Sequence, residues 1–128
     1  MEVIIVIPTY NEANNIKPLV EGIAAHFSED YKVFFIDDAS ADGTADIVKE
    51  LSSKYPIQVF SREGARGLGS AYIYGFKKAI EEKPNFIMSM DADLSHQPKD
   101  LPRLLAAARE GADVVLGSRY VQGGGVTD

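Results

Sequence analysis

Short β-branched and aromatic runs alternate with stretches of helical periodicity along the chain. Val3-Ile4-Ile5-Val6-Ile7 is unbroken, the mark of a strand buried on both faces. Pro8 ends it, because proline has no N–H to give a central ladder. Past the loop Thr9-Tyr10-Asn11-Glu12, the residues Ile16, Leu19, Val20, Ile23 and Phe27 recur at helical spacing. Pro18 is tolerated only close to a helix start, which puts that start near Asn14. Val33-Phe34-Phe35-Ile36 reads as a second buried strand, closed by Asp37-Asp38. Asp42-Gly43-Thr44 reads as a turn and cap feeding a helix through Ile47, Val48, Leu51 and Tyr55, which Pro56 stops. Ile57 to Phe60 is a third, shorter strand.

A glycine-rich loop follows, Ser61-Arg62-Glu63-Gly64-Ala65-Arg66-Gly67-Leu68-Gly69-Ser70. Leu68, Ala71, Tyr72, Gly75, Phe76, Ala79 and Ile80 give the next helix an apolar face. Phe86 to Met90 is strand four. Leu101, Leu104, Leu105 and Ala108 mark a further helix, with Asp100 as N-cap and Gly111 as stop. Asp113 to Gly117 is strand five, before Ser118-Arg119-Tyr120 and a Gly123-Gly124-Gly125 tail. Strand and helix alternate without an internal repeat or a low-complexity linker. That pattern predicts one α/β domain over 1–128, a mostly parallel central sheet with helices on both faces.

Composition narrows the function classes. The chain has 128 residues, 45% hydrophobic and 25% charged, enough to bury a core without staples. It has no cysteine, so disulfides and thiolate metal sites are excluded. A formal net charge of −6 argues against a general nucleic-acid binder. No apolar run reaches the length of a membrane span, and the start lacks the basic residues and length of a signal peptide.

The polar clusters carry the candidate chemistry. Thr9 to Glu12 follows strand one, Asp37-Asp38 strand two, Asp91 and Asp93 strand four, and Arg119 strand five. In a parallel sheet these ends share one edge, where ligands of open α/β folds bind. If the backbone stays extended from Met90 to Asp93, the two carboxylates project to one side. Held about 6 Å apart they repel by roughly 3 kcal/mol at an effective dielectric near 20. A bridging Mg²⁺ or Mn²⁺ reverses that sign, and two hard ligands leave room for a substrate's phosphates. Each cluster also has a plainer reading. Asp37 and Asp38 are turn formers, Tyr10 and Tyr72 packing residues, and His96 a loop hydrogen-bonding residue. Loop arginines are commonly solvated. The glycine loop departs from a dinucleotide fingerprint, because Tyr72 stands where a third glycine belongs.

Five segments occur in an order that resembles one family. They are Val6-Ile7-Pro8-Thr9-Tyr10-Asn11-Glu12, Asp37-Asp38-Ala39-Ser40-Ala41-Asp42-Gly43-Thr44, Gly67-Leu68-Gly69-Ser70-Ala71-Tyr72, Asp91-Ala92-Asp93-Leu94-Ser95-His96-Gln97-Pro98 and Gly117-Ser118-Arg119-Tyr120. Together they resemble glycosyltransferase family 2, and within it the dolichol-phosphate (polyprenyl-phosphate) mannosyltransferases. The resemblance implies a GT-A nucleotide-binding α/β sandwich. It implies inverting transfer of mannose from GDP-mannose to a polyprenyl phosphate at a membrane surface, at its cytoplasmic face. By motif, Asp91 and Asp93 would hold Mg²⁺ or Mn²⁺ against the donor diphosphate, with Ser95 as a weaker metal contact. Pro8, Tyr10, Glu12, Asp37, Asp38 and Asp91 would form the nucleotide pocket. Asp93 and Arg119 would serve catalysis, Arg119 facing a phosphate.

Family members continue well past the Arg-Tyr motif, so the resemblance also implies a catalytic domain truncated on its C-terminal side. The alternative is that another chain, a second copy or a membrane subunit, supplies what is absent. Two other readings stand beside this one: a related family-2 transferase with another donor such as UDP-glucose, and a nucleotide-binding domain inactive alone. A phosphotransferase using Asp91 as nucleophile lacks room for its further lysine and acidic motifs.

Overall fold

The computed structural model describes residues 2–63, 67–94 and 97–110. The first strand, β1 (Val3–Thr9), is buried at all seven positions, as its unbroken apolar run predicts. Helix α1 (Ala13–His26) turns Ile16, Leu19, Val20 and Ile23 inward. It begins one residue before Asn14, which leaves Pro18 in the second turn. There the missing N–H deprives the Asn14 carbonyl of its helical partner, and Pro18 lies on the exposed side. Strand β2 (Tyr31–Asp37) pairs in parallel with β1, Val3 opposite Tyr31 through Thr9 opposite Asp37.

Helix α2 (Thr44–Leu51) stops short of Tyr55. The Ser52 and Ser53 hydroxyls donate to the Lys49 and Glu50 carbonyls at 2.6 and 3.1 Å. These bonds satisfy groups left open at a helix end. Tyr55 still packs against the core from the turn. Strand β3 (Ile57–Ser61) pairs with β2. Helix α3 (Leu68–Glu81) leads to β4 (Phe86–Ser89), which pairs with β1 on the side away from β2. A 3-10 turn, Pro98–Asp100, then runs into α4 (Leu101–Arg109). Asp100 holds the N-cap position but makes no capping bond. Its backbone is already helical, and its carboxylate lies 3.6 Å from Arg103 instead. The predicted fifth strand, 113–117, lies outside the described residues.

The sheet is parallel, in the order β3-β2-β1-β4. From β1 the chain steps outward through β2 to β3, then returns past β1 to β4. Right-handed crossovers therefore put α1 and α2 on one face and α3 on the other. The core divides accordingly. Val3, Ile5, Ile7, Val33 and Phe35 pack with α1, α2 and α4, whereas Ile4, Val6, Phe34 and Ile36 meet Ala71 and Ala79 of α3. The reversal between β1 and β4 is the switch point at which such sheets open a crevice beyond their carboxyl ends.

Candidate functional site

That crevice is present. A cleft of about 590 Å³ is lined by Pro8, Thr9, Tyr10 and Glu12 after β1, and by Asp38 and Ala39 after β2. Gly67, Leu68 and Ala71 at the start of α3, and Asp91, Ala92 and Asp93 after β4, complete it. Of the residues singled out in the sequence, Pro8, Tyr10, Glu12, Asp38, Asp91 and Asp93 thus border one cavity. Asp37 does not. It is buried behind the wall, where Oδ1 accepts the Thr9 and Ser40 hydroxyls, both at 2.6 Å, and Oδ2 accepts the Ser40 N–H at 3.0 Å. The register that sets Thr9 opposite Asp37 makes the first of these bonds, so Asp37 fastens the β1 and β2 ends together. Ser95, His96, Arg66 and Arg119 lie outside the described residues.

The loops at this edge are stitched into one another. The Asn11 N–H donates to Ser40 Oγ at 2.8 Å, and Asn11 Oδ1 accepts the Ala41 N–H at 3.0 Å. Asp42 accepts from Thr44 and from the Ala13 N–H, and the Glu12 N–H reaches the Thr44 hydroxyl at 3.0 Å. The Thr44 hydroxyl foremost, aided by the backbone donors, lowers the Asp42 carboxyl below its ordinary range. Asp42 therefore ties the entries of α1 and α2 to each other. Glu12 is steadied in turn by Asn15, whose amide donates to Oε1 at 2.8 Å. Of the four non-glycine residues with positive φ among the described residues, Asn11, Ala39 and Leu94 lie at this edge. Left-handed backbone costs about 1–2 kcal/mol per residue, and such strain gathers where a loop is over-determined by its surroundings.

Asp38 has a partner that reading the sequence did not assign. Arg62, the residue after β3, donates from Nε to Oδ1 at 2.7 Å and from Nη2 to Oδ2 at 2.9 Å. Nη1 donates to Ser70 Oγ at 2.8 Å, and the guanidinium lies 5.7 Å from the Tyr74 ring centroid. The pair is largely buried, the side chains 8% and 16% exposed. Arg62 is thus neither a solvated loop arginine nor part of the cleft lining. It neutralises Asp38 from behind and ties β3 to the first turn of α3. The β2–β3 register, Asp37 opposite Ser61, was the signal that brings the next residues together.

The Asp91–Asp93 segment departs from the extended geometry expected of it. β4 ends at Ser89, Ala92 and Asp93 form a turn, and Leu94 takes φ of 68°. Asp91 is half-buried and Asp93 exposed, yet both face the cleft because the turn wraps over its rim. The Tyr72 hydroxyl, on α3, donates to Asp91 Oδ1 at 2.9 Å. Burial first, then that hydrogen bond and the charges of Asp91 and Asp93, push the Tyr72 hydroxyl well above the ordinary phenol range. It remains a protonated donor at any physiological pH.

The lining contains four carboxylates, from Glu12, Asp38, Asp91 and Asp93, and no lysine or arginine among the described residues. Asp91 and Asp93 supply hard oxygen donors of the kind Mg²⁺ and Mn²⁺ take. No group of three or more His, Cys, Asp or Glu residues stands ready to hold a metal among the described residues. A two-carboxylate donor set fits an ion that shares its shell with phosphate oxygens and water, rather than an all-protein cage.

The comparison with known proteins agrees with this geometry. Residues 4–128 match Glycosyl transferase family 2. The chain belongs to that family. It is 44% identical over 127 residues to a dolichol-phosphate mannosyltransferase from Pyrococcus furiosus, covering 98% of this chain and 35% of the relative. It is 42% identical over 125 residues to a polyprenol monophosphomannose synthase from Mycolicibacterium smegmatis, covering 96% of this chain and 47% of the relative. The chain therefore spans between a third and a half of these relatives' lengths. Among solved structures it resembles the mannosyltransferase PcManGT from Pyrobaculum calidifontis in complex with GDP-Man and Mn²⁺. The TM-score is 0.66 at 25% identity, over 88% of this chain and 32% of that one. The fold is GT-A, as the family-2 motifs implied.

Proposed function

We propose that this family-2 domain binds GDP-mannose for inverting transfer of mannose to a polyprenyl phosphate. One observation carries the reading: a cleft at the β1/β4 switch point, lined by carboxylates from three strand ends. Carboxylates there suit both halves of a nucleotide sugar. Glu12 and Asp38 accept from N–H and O–H groups of base and ribose, with Pro8 and Tyr10 offering apolar surface. Tyr10 is 63% exposed at the rim and is placed to lie against a base. Asp37 acts at one remove by holding the β1 and β2 ends in register.

Asp91 and Asp93 would hold Mg²⁺ or Mn²⁺ against the diphosphate, with Ser95 as a further oxygen donor. Bound there, the cation supplies Lewis-acid stabilisation of the charge that develops on the departing diphosphate. In the transfer, an acceptor phosphate oxygen forms a bond to the anomeric carbon from the face opposite GDP. The bond from that carbon to the β-phosphate oxygen breaks, and its electron pair leaves with GDP. The acceptor is already an anion at neutral pH, so positioning matters more than proton removal. Arg119 would neutralise a phosphate, of donor or acceptor, by a charge-assisted contact. A polyprenyl-phosphate acceptor places the work at a membrane surface, on its cytoplasmic side where the family's donors are found. No helix among the described residues is long and apolar enough to cross a membrane. A second copy or a membrane subunit is a further partner in this reading.

Calorimetric titration with GDP and with UDP, each in Mn²⁺, Mg²⁺ and EDTA, tests the donor site. Metal-dependent binding that favours GDP is expected. A preference for UDP would move the reading to another sugar donor, and equal binding in EDTA would remove the cation from it. Asp93→Ala should abolish the metal-dependent part, with stability within about 0.5 kcal/mol of the parent for so exposed a side chain.

A further inference from the structure

The contact between Tyr72 and Asp91 joins α3 to the turn after β4, beyond the packing of Ile87 against the same helix. Tyr72 sits one turn into α3, on the face of the sheet opposite α1, and Asp91 lies in the turn after β4. The ring is fixed before the hydroxyl acts: it stacks on Phe76, with centroids 5.9 Å apart and planes inclined at 26°. The helix is fixed as well, because Ala71, Gly75 and Ala79 let it lie directly on β1 and β2. The hydroxyl therefore approaches Asp91 Oδ1 from a rigid support, at 2.9 Å. A carboxylate in a turn has two torsions free to vary, and a fixed donor on one oxygen restricts both. The other consequence is chemical. A phenol O–H on Oδ1 takes up one of the four lone pairs of the carboxylate and orients those that remain.

We propose that Tyr72 is a positioning residue for the divalent cation, setting the Asp91 carboxylate through the hydrogen bond to Oδ1. The inference rests on the reading of Asp91 and Asp93 as cation ligands. Outer donors of this type orient ligands on metal sites, and their loss typically weakens metal affinity about 10- to 100-fold. Ala71, its neighbour in sequence, lines the cleft, whereas Tyr72 reaches the cation only through Asp91.

The test is the Mn²⁺ affinity of the 128-residue chain at a fixed concentration of GDP, read from the electron paramagnetic resonance signal of free Mn²⁺. Tyr72→Phe keeps the ring and its stacking and removes the donor. Its Mn²⁺ affinity should fall about 10- to 100-fold, while GDP binding in EDTA stays unchanged. Phe76→Leu provides the converse, weakening the stack while keeping the donor, so its Mn²⁺ affinity should fall by less than that of Tyr72→Phe. Unchanged Mn²⁺ affinity in Tyr72→Phe overturns the proposal and leaves the cation site standing. An equal fall in Phe76→Leu also overturns it, because packing would then be the agent. If the parent chain holds no Mn²⁺ with GDP, the cation reading itself fails and takes this inference with it.

Discussion

At the scale of single residues, Arg62 has the largest effect to explain. Its guanidinium meets both oxygens of Asp38 with little solvent around either side chain. Such a pair contributes modestly against an apolar replacement, but removing one partner leaves a buried charge unmatched, at a cost of about 3–5 kcal/mol. Arg62→Met keeps most of the stem and abolishes the charge. It should lower stability by about 3 kcal/mol, measured as a shift of the urea midpoint with unchanged slope. Adding Asp38→Asn to that variant should recover part of the loss, because the orphaned charge is gone. A midpoint shift below about 0.5 kcal/mol in the single variant would place the pair among solvated ion pairs. Asp38 was legible in the sequence as a charge at a strand end, and Arg62 was not. The difference lies in range. A strand end is read from its own residues, whereas a partner 24 positions away depends on which strands pair and in what register. Asp37 is the reverse case. Its identity and position suggested a ligand group, and only the Thr9 and Ser40 contacts reveal a carboxylate already committed to the wall.

Elements were legible where periodicity is strong, and less so where backbone geometry takes over. All four strands and four helices of the described residues stand where the apolar pattern put them, with shifts at their ends. The helix stop at Leu51 is met by serine hydroxyls, and the strand stop at Ser89 is followed by a turn at Ala92 and Asp93, neither of which hydrophobic spacing registers. The approach of α3 is a further example. Gly75 reads in the sequence as one member of an apolar face, yet a Cβ there would lie 2.4 Å from Val6 Cγ1 and 3.0 Å from Ile36 Cγ1. Gly69, two positions into the same helix, has nothing within 4 Å. Gly75→Ala gains about 1 kcal/mol of helix propensity but suffers overpacking of about 1–3 kcal/mol. A net loss on the order of 1 kcal/mol follows. Gly69→Ala meets no such contact and should gain up to about 1 kcal/mol. Chemical denaturation of the two variants checks the difference in sign. If both gain stability, α3 has slack to move off the sheet, and the rigid support for Tyr72 is lost.

At the scale of the whole molecule, the question is how an acidic chain would accept the diphosphate of the proposed donor. The formal net charge is −6, and the described lining of the cleft adds four carboxylates with no basic side chain among them. Arg62 cancels the charge of Asp38 from behind, which leaves Glu12, Asp91 and Asp93 facing the cavity. A nucleoside is neutral and meets this field without penalty. Its diphosphate meets repulsion from this described lining, which a bound cation would offset. The two halves of the ligand should therefore respond oppositely to metal. In EDTA, guanosine should bind at least as tightly as GDP, and Mn²⁺ should reverse that order, with little effect on guanosine. Ionic strength separates the causes further. Exposed charges are screened over about 8–10 Å near physiological salt, so added salt should strengthen GDP binding in EDTA by reducing repulsion. With Mn²⁺ bound the net interaction is attractive, and added salt should weaken it. Isothermal titration at two salt concentrations, with guanosine and GDP in turn, measures all four slopes. GDP binding in EDTA that weakens with salt would mean that basic groups receive the diphosphate. The carboxylate pair after β4 would then have to act on some other part of the ligand.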